Sequence, residues 1–370
     1  MKSPRFGFQT QTAYALQVGN STTPKRGNGL HFTVSWRLEA PLVLLPLMSA
    51  MRILILAAVL IAGLRSPSDA SAAPPGKLDL KDGDRVLWIG GTLIEREQIY
   101  GYWEAMLTAS YPDRTIKFRN LGWSGDTVWA DSRGMFDSPA EGYKRMLAMA
   151  QDFKPTLIVL CYGGNESFGG PAGIQQFVDQ YKKLIGDLKA TGARFAFLLP
   201  VDMEPGSTVD PQLAVAFNKG VIAYRDAIRK IADGENAPVI DLTKPSDAES
   251  SISGQRMTTD GLHGTAVGYW ALAHRLRDQV QVSQPGVVLP LPANAYPTEP
   301  SAASADRLEQ LRLAIISKNE LFFHRWRPQN FTYLFGFRKH EQGNNAVEIP
   351  QFDPLIEKKE DAISGLRKGN

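Results

Sequence analysis

Cysteine is almost absent: the 370-residue chain carries one, Cys161. A single thiol excludes an intramolecular disulfide and any multi-cysteine metal site, and its place in an apolar run reads as a buried structural residue. Histidine is scarce too, with five residues, and no two have the spacing of a zinc site. Neither a metal nor a cofactor is expected. Charge of one sign is also lacking, since 41 Lys and Arg stand against 38 Asp and Glu and leave a net +3 with no basic run. Nothing therefore prepares the chain for a polyanion, and nucleic acid is not an expected partner. There is no internal repeat.

Apolar material is plentiful, at 43% of residues against 21% charged, which is enough for one large or two modest globular domains. The first 75 residues read as processing signal. Residues 1–40 mix Ser, Thr, Gly, Gln and Arg without a sustained period, as an unstructured leader or a misassigned start gives, and residues 1–50 are assigned no function. Met51-Arg52 then precedes the apolar stretch Ile53 to Leu64, and Ala70-Ser71-Ala72 supplies a small-residue cleavage pattern. Residues 51–72 are thus expected to be a secretory signal, with export to the periplasm or beyond and membrane contact only through this segment. The alternative joins residues 41–64 into one membrane anchor, interrupted by Pro46 and Arg52.

From Arg85 onward, short β-rich runs alternate with segments of helical period, the pattern of a parallel sheet covered by helices. Strands are expected at Val86–Ile89, Ile116–Arg119, Thr156–Leu160, Phe195–Leu199 and Val239–Asp241, several of them apolar enough for burial on both faces. Ala140–Gln151, Ile174–Thr191 and Gln212–Asp233 carry helical spacing, as with Phe177, Tyr181, Leu184, Ile185 and Leu188. One α/β domain of five strands is expected over residues 80–283. A Pro-rich and then Ser/Ala-rich stretch, 284–304, reads as a linker. Residues 305–370 form a C-terminal extension, with helical period over Ala305–Phe323 and then the aromatic, basic run Phe322 to His340. Such a run suits a lid, an interaction face or a helical appendage whose rings cover the main domain.

In open parallel sheets the ligand sits beyond the carboxyl ends of the strands. Four clusters fall there: Gly90-Gly-Thr-Leu93, Asn120-Leu-Gly-Trp-Ser-Gly-Asp126, Gly163-Gly-Asn165 and Asp260-Gly-Leu-His263. Ester hydrolysis through a nucleophile needs a hydroxyl, a base, a carboxylate to orient that base, and donors for the developing oxyanion. Each part has a candidate here.

The four clusters, in this order over about 200 residues, resemble the sequence blocks of the SGNH/GDSL hydrolase family. That resemblance implies a three-layer α/β/α, flavodoxin-like fold for the domain. It also implies that His263 is the base, Asp260 its orienting carboxylate, and that Gly122 (backbone N–H) and Asn165 (side-chain amide) form the oxyanion hole. The first block departs from the family: where the family reads Gly-Asp-Ser-Leu, this chain reads Gly90-Gly91-Thr92-Leu93, which makes Thr92 the nucleophile. The hydroxyl survives, but the added methyl restricts χ1 and crowds the attacking oxygen. Threonine nucleophiles elsewhere are helped by an N-terminal amine, which an internal residue lacks.

Simpler readings exist for each residue. The glycines serve tight turns, Asn165 could cap the following segment, and a lone His263 would more often be structural; the ordered combination favours a site. Ser124 and Asp126 are turn formers or a displaced nucleophile and helper. The tail runs Phe322 to Asn330 and Arg338 to Asn345 resemble the C-terminal extension of SGNH-type proteins of planctomycete-like bacteria, a resemblance that implies bacterial export. Three functions are compatible with the sequence: a hydrolase of small esters or acylated carbohydrate, a binding protein that recognises an ester, acetyl group or sugar, and a partner-binding scaffold built on the aromatic tail. Expression from Met51 should yield a mature chain beginning near Ala73, read by N-terminal sequencing; a membrane-bound product retaining residues 1–50 would rule out the signal at Met51.

Overall fold

The computed structural model describes residues 76–206, 208–292 and 306–368. The expected signal segment 51–72, the alternative anchor 41–64 and most of the expected linker lie outside the described residues.

β1 (Arg85–Gly90) leads through Gly91 into α1 (Thr92–Tyr100) and, across Gly101, into α2 (Tyr102–Ser110). β2 (Lys117–Asn120), α3 (Pro139–Phe153), β3 (Leu157–Cys161), α4 (Ile174–Leu188), β4 (Arg194–Leu198), α5 (Pro211–Gly234), β5 (Val239–Ile240) and α6 (Ala266–Gln279) follow. The five strands form one parallel sheet in the order β2-β1-β3-β4-β5, which is the flavodoxin-like order with its switch point between β1 and β3. All five expected strands are present, each within a residue or two of its expected bounds.

Alternation along the strands divides the core. Val86, Trp88, Phe118, Leu157, Val159, Ala196 and Leu198 face one layer with α2 and α6, while Leu87, Ile89, Ile158, Leu160, Phe195 and Phe197 face the other with α3, α4 and α5. Strands buried on both faces are what a parallel sheet between two helical layers requires. Helix starts follow local chemistry. Asp210 caps α5 by accepting from Gln212 N–H at 2.8 Å, with Pro211 at the first helical position. Thr265 likewise caps α6 through Gly268 N–H at 3.1 Å.

The extension is helical: α7 (Arg307–Trp326), the short α8 (Phe331–Leu334) and α9 (Lys339–Gln342), and α10 (Phe352–Lys368). α7 lies on α1, α2 and β2, and α10 lies on α7. Part of the stretch expected as linker is held against the domain, since Leu289 is buried and its carbonyl accepts from Trp270 Nε1 at 2.8 Å. β2 would be a free sheet edge without α7. Lys318 of α7, with no solvent exposure, donates to Phe118 O of β2 at 3.0 Å and to both oxygens of Glu104 at 2.6 and 2.8 Å. The helix thus satisfies an outward carbonyl of the edge strand and covers it, as edge protection requires. Removing the lysine leaves a carboxylate buried and unpaired. Lys318→Met should lower unfolding free energy by about 3–5 kcal/mol, and Lys318→Met with Glu104→Leu should recover most of that loss, both read from urea midpoints.

Candidate active site

The loops after β1, β2, β3 and β4, with the segment before α6, surround a cavity of about 120 Å³. Gly91, Thr92, Leu93, Asp126, Asn165, Glu166, Leu262 and His263 are among its walls. Thr92 is the first residue of α1, where N–H groups have no intrahelical partner and the dipole favours negative charge. Its Oγ1 accepts from Gly125 N–H at 3.0 Å. Gly125 has φ of 74°, in the left-handed region that favours glycine.

Asp260 and His263 form the expected pair. His263 Nδ1 lies 2.5 Å from Asp260 Oδ2, and Asp260 Oδ1 accepts from the N–H groups of His263 at 2.8 Å and Leu262 at 3.1 Å. Partial burial opposes ionisation of Asp260, but these backbone donors and the imidazole outweigh it and hold its carboxyl below the usual carboxylate range. An ionised Asp260 at Nδ1 fixes the tautomer that leaves Nε2 free to act as a base. His263 makes no hydrogen bond to Thr92 in this structure, although the two line the same cavity. Catalytic hydrogen bonds often tighten only once substrate is bound.

Asn165 also lines the cavity; its Nδ2 donates to Asp126 O at 2.9 Å. Asn165 does not cap the following turn with its side chain. Gly122 lies elsewhere. Its N–H, expected to face an oxyanion, donates instead to Asn120 Oδ1 at 2.8 Å, and Gly122 is not part of the cavity wall. A Cβ on Gly122 would stand 2.3 Å from the backbone nitrogen of Glu95, so this glycine lets α1 press on the loop after β2. Gly125, three residues on and likewise outside the cavity wall, is the backbone donor that reaches a wall residue, through its bond to Thr92 Oγ1. Its signal in the sequence was the Ser-Gly-Asp turn, since a glycine there can present its N–H in a conformation other residues avoid. Ser124 is exposed and outside the cavity wall, with its N–H given to Glu95 Oε2. Asp126 is fully buried and holds Arg133 Nε at 2.6 Å and Tyr162 OH at 3.0 Å, a loop-fixing role.

Glu166 was not singled out by sequence reasoning. Burial pushes its carboxyl up to about 7, against the N–H groups of Val128 and Gly163 that donate to it at 2.9 and 2.8 Å. Cys161, at the end of β3, is buried and its thiol is pushed up to about 12 by that burial, so it is inert at neutral pH. Among the described residues no cluster of His, Cys, Asp or Glu could hold a metal ion.

A flavodoxin-ordered sheet with a hydroxyl, an Asp-His pair and an amide donor at its carboxyl edge holds the groups that nucleophilic ester hydrolysis needs. Residues 89–271 match the GDSL-like Lipase/Acylhydrolase family model. Over 115 residues the chain is 28% identical to the isoamyl acetate-hydrolyzing esterase of Saccharomyces cerevisiae, covering 30% of this chain and 47% of the yeast protein. It thus spans about half the length of that curated relative. A gut microbial diltiazem-metabolizing enzyme superposes with a TM-score of 0.51 at 13% identity, over 80% of this chain and 97% of its own, and shares the fold. An acetylxylan esterase from Geobacillus stearothermophilus overlaps 55% of this chain and 96% of its own with a TM-score of 0.40 at 17% identity.

Glu166 makes stability depend on pH. Its folded-state value lies above the ordinary 4.5, so its contribution is fully present below about 4.5 and is lost as pH rises through about 7. Urea unfolding should show a fall on the order of 3 kcal/mol across that window, and Glu166→Gln should remove the slope.

Proposed function

We propose that the protein is a carboxylic-ester hydrolase of small acyl groups, using Thr92 as nucleophile, His263 as base and Asp260 as its orienting carboxylate. The observation that carries this reading is the Gly125 N–H on Thr92 Oγ1 at 3.0 Å in a cavity shared with His263. In the reaction, Thr92 Oγ1 attacks the ester carbonyl and its proton passes to His263 Nε2. The oxyanion takes the Gly125 N–H, the Asn165 amide and the α1 N-terminus as partners. Collapse expels the alkoxide, which leaves as alcohol with the proton from His263. Water, deprotonated by His263, then attacks the acyl-threonine, and release of the acid returns the proton to Thr92.

The cavity is small, about 120 Å³. With Leu93, Phe168, Phe217 and Leu262 on its walls, it suits an acetyl-sized acyl group, and the name of the yeast relative supports an acetate ester. The alcohol side then lies outside the cavity, which leaves acetylated carbohydrate as well as simple esters as substrates, met outside the cytoplasm on the reading of residues 51–72. A second reading, a binding protein for such groups, is favoured by the Thr92 methyl and by the missing His263–Thr92 hydrogen bond.

Turnover of p-nitrophenyl acetate separates the two readings. Thr92→Ala and His263→Ala should each abolish it to a similar degree, as members of one unit do. Thr92→Ser keeps the oxygen and removes the methyl, so it should raise kcat/KM by about tenfold, or about 1.4 kcal/mol of barrier. Wild-type turnover unaffected by Thr92→Ala would refute the nucleophile; no wild-type turnover with a gain in Thr92→Ser would favour the binding protein.

A further inference from the structure

The extension also meets the domain next to the active site. Arg327, the C-cap residue just past α7, donates from Nη1 to Glu95 Oε1 at 2.7 Å, and its guanidinium carbon lies 3.4 Å from the centre of the Trp123 ring. Trp326 packs edge-on against the same ring, centroids 5.8 Å apart. Glu95 stands one turn along α1 from Thr92, and its second oxygen accepts Ser124 N–H. The guanidinium therefore bridges two things at once: the first turn of α1, which carries Thr92, and the Trp123-Ser124-Gly125 segment, which aims its N–H at the Thr92 hydroxyl. None of Arg327, Glu95 or Trp123 lines the cavity.

We propose that Arg327 is a positioning residue for the oxyanion hole, and that the extension completes the active site through it; the inference rests on the esterase reading above. The ion pair keeps the mostly buried Glu95 carboxylate in place, and Glu95 in turn holds the Ser124 peptide. The planar stack seats Trp123, as arginine does on aromatic faces. Without the guanidinium, Glu95 loses its cation and turns to solvent, Ser124 N–H is released, and Gly125 N–H drifts from the position where the oxyanion forms. Displacement of a donor by about 1 Å is enough to slow chemistry strongly, while substrate binding in the untouched cavity is preserved.

The test uses the full chain with Arg327→Ala, Arg327→Lys and Glu95→Gln, each with Thr92 and with Thr92→Ser. Hydrogen exchange by mass spectrometry over residues 122–127, thermal melting, and kcat and KM for p-nitrophenyl acetate are measured together. Arg327→Ala should speed exchange in that segment about tenfold, leave distant peptides unchanged, and lower kcat about tenfold at constant KM. Glu95→Gln should act in the same direction, which keeps the question open to test if Arg327→Ala does not fold. Arg327→Lys should rescue in part, since it keeps the charge and loses the planar stack. Local exchange that rises in a protein without any turnover supports the clamp and removes the esterase reading instead. Unchanged exchange, a uniform rise across the chain, or an effect on KM alone would overturn the proposal.

Discussion

Close contact of backbones at the carboxyl ends of β1, β2 and β3 is the constraint on which the site depends. A Cβ on Gly90 would lie 2.5 Å from Cys161 O, and one on Gly122 would lie 2.3 Å from Glu95 N. Both obstacles are main-chain atoms, so neither can move aside as a flexible side chain would. The two glycines let β1 turn into α1 directly against its neighbours. Thr92 can then reach Gly125 N–H, and Asn165 can reach Asp126 O. The site is small because these walls are already in contact.

One device recurs around the cavity: a carboxylate that accepts backbone N–H groups from a loop. Glu95 takes Ser124 N–H, Glu166 takes those of Val128 and Gly163, and Asp260 takes those of Leu262 and His263. Glu204, just after β4, takes those of Met257 at 3.1 Å and Thr258 at 2.8 Å, and so anchors the segment leading to Asp260. Charge-assisted bonds of this kind are stronger than neutral ones. They fix segments that have no sheet or helix ladder to hold them, and do so within reach of the reacting groups. Glu166 is the costly member of the set, because it is the most deeply enclosed and its charge is opposed by burial.

The sheet was legible because its strands are short, β-branched runs between turn signals, and the amphipathic α4 was legible residue by residue: Phe177, Tyr181, Leu184, Ile185 and Leu188 are its buried set. α2 escaped because every one of its residues is buried, which erases the stripe that betrays a surface helix. α6 is buried nearly all round for the same reason. At the site, Thr92, Asn165 and His263 are brought to one cavity, with Asp260 joined to it through His263 Nδ1, because the residues of each block are read directly from the order of blocks. Gly122 came from its position in the block that resembles the family's, since a sequence reveals that a glycine is present but not which way its N–H points. The long-range partnerships of the extension, Lys318 with Glu104 and Arg327 with Glu95, carry no local pattern at all.

The lysine beneath the sheet edge also imposes an order on synthesis. Lys318 and Glu104 are separated by 214 positions, so on the ribosome the acid of α2 emerges long before the cation that neutralises it. Until α7 follows, β2 keeps an uncovered edge and Glu104 must stay hydrated or hold its proton, either of which keeps α2 from seating fully. Closing so wide a loop is slow relative to local helix formation. The core around Glu104 is therefore completed only when α7 arrives, 214 positions after the acid it neutralises.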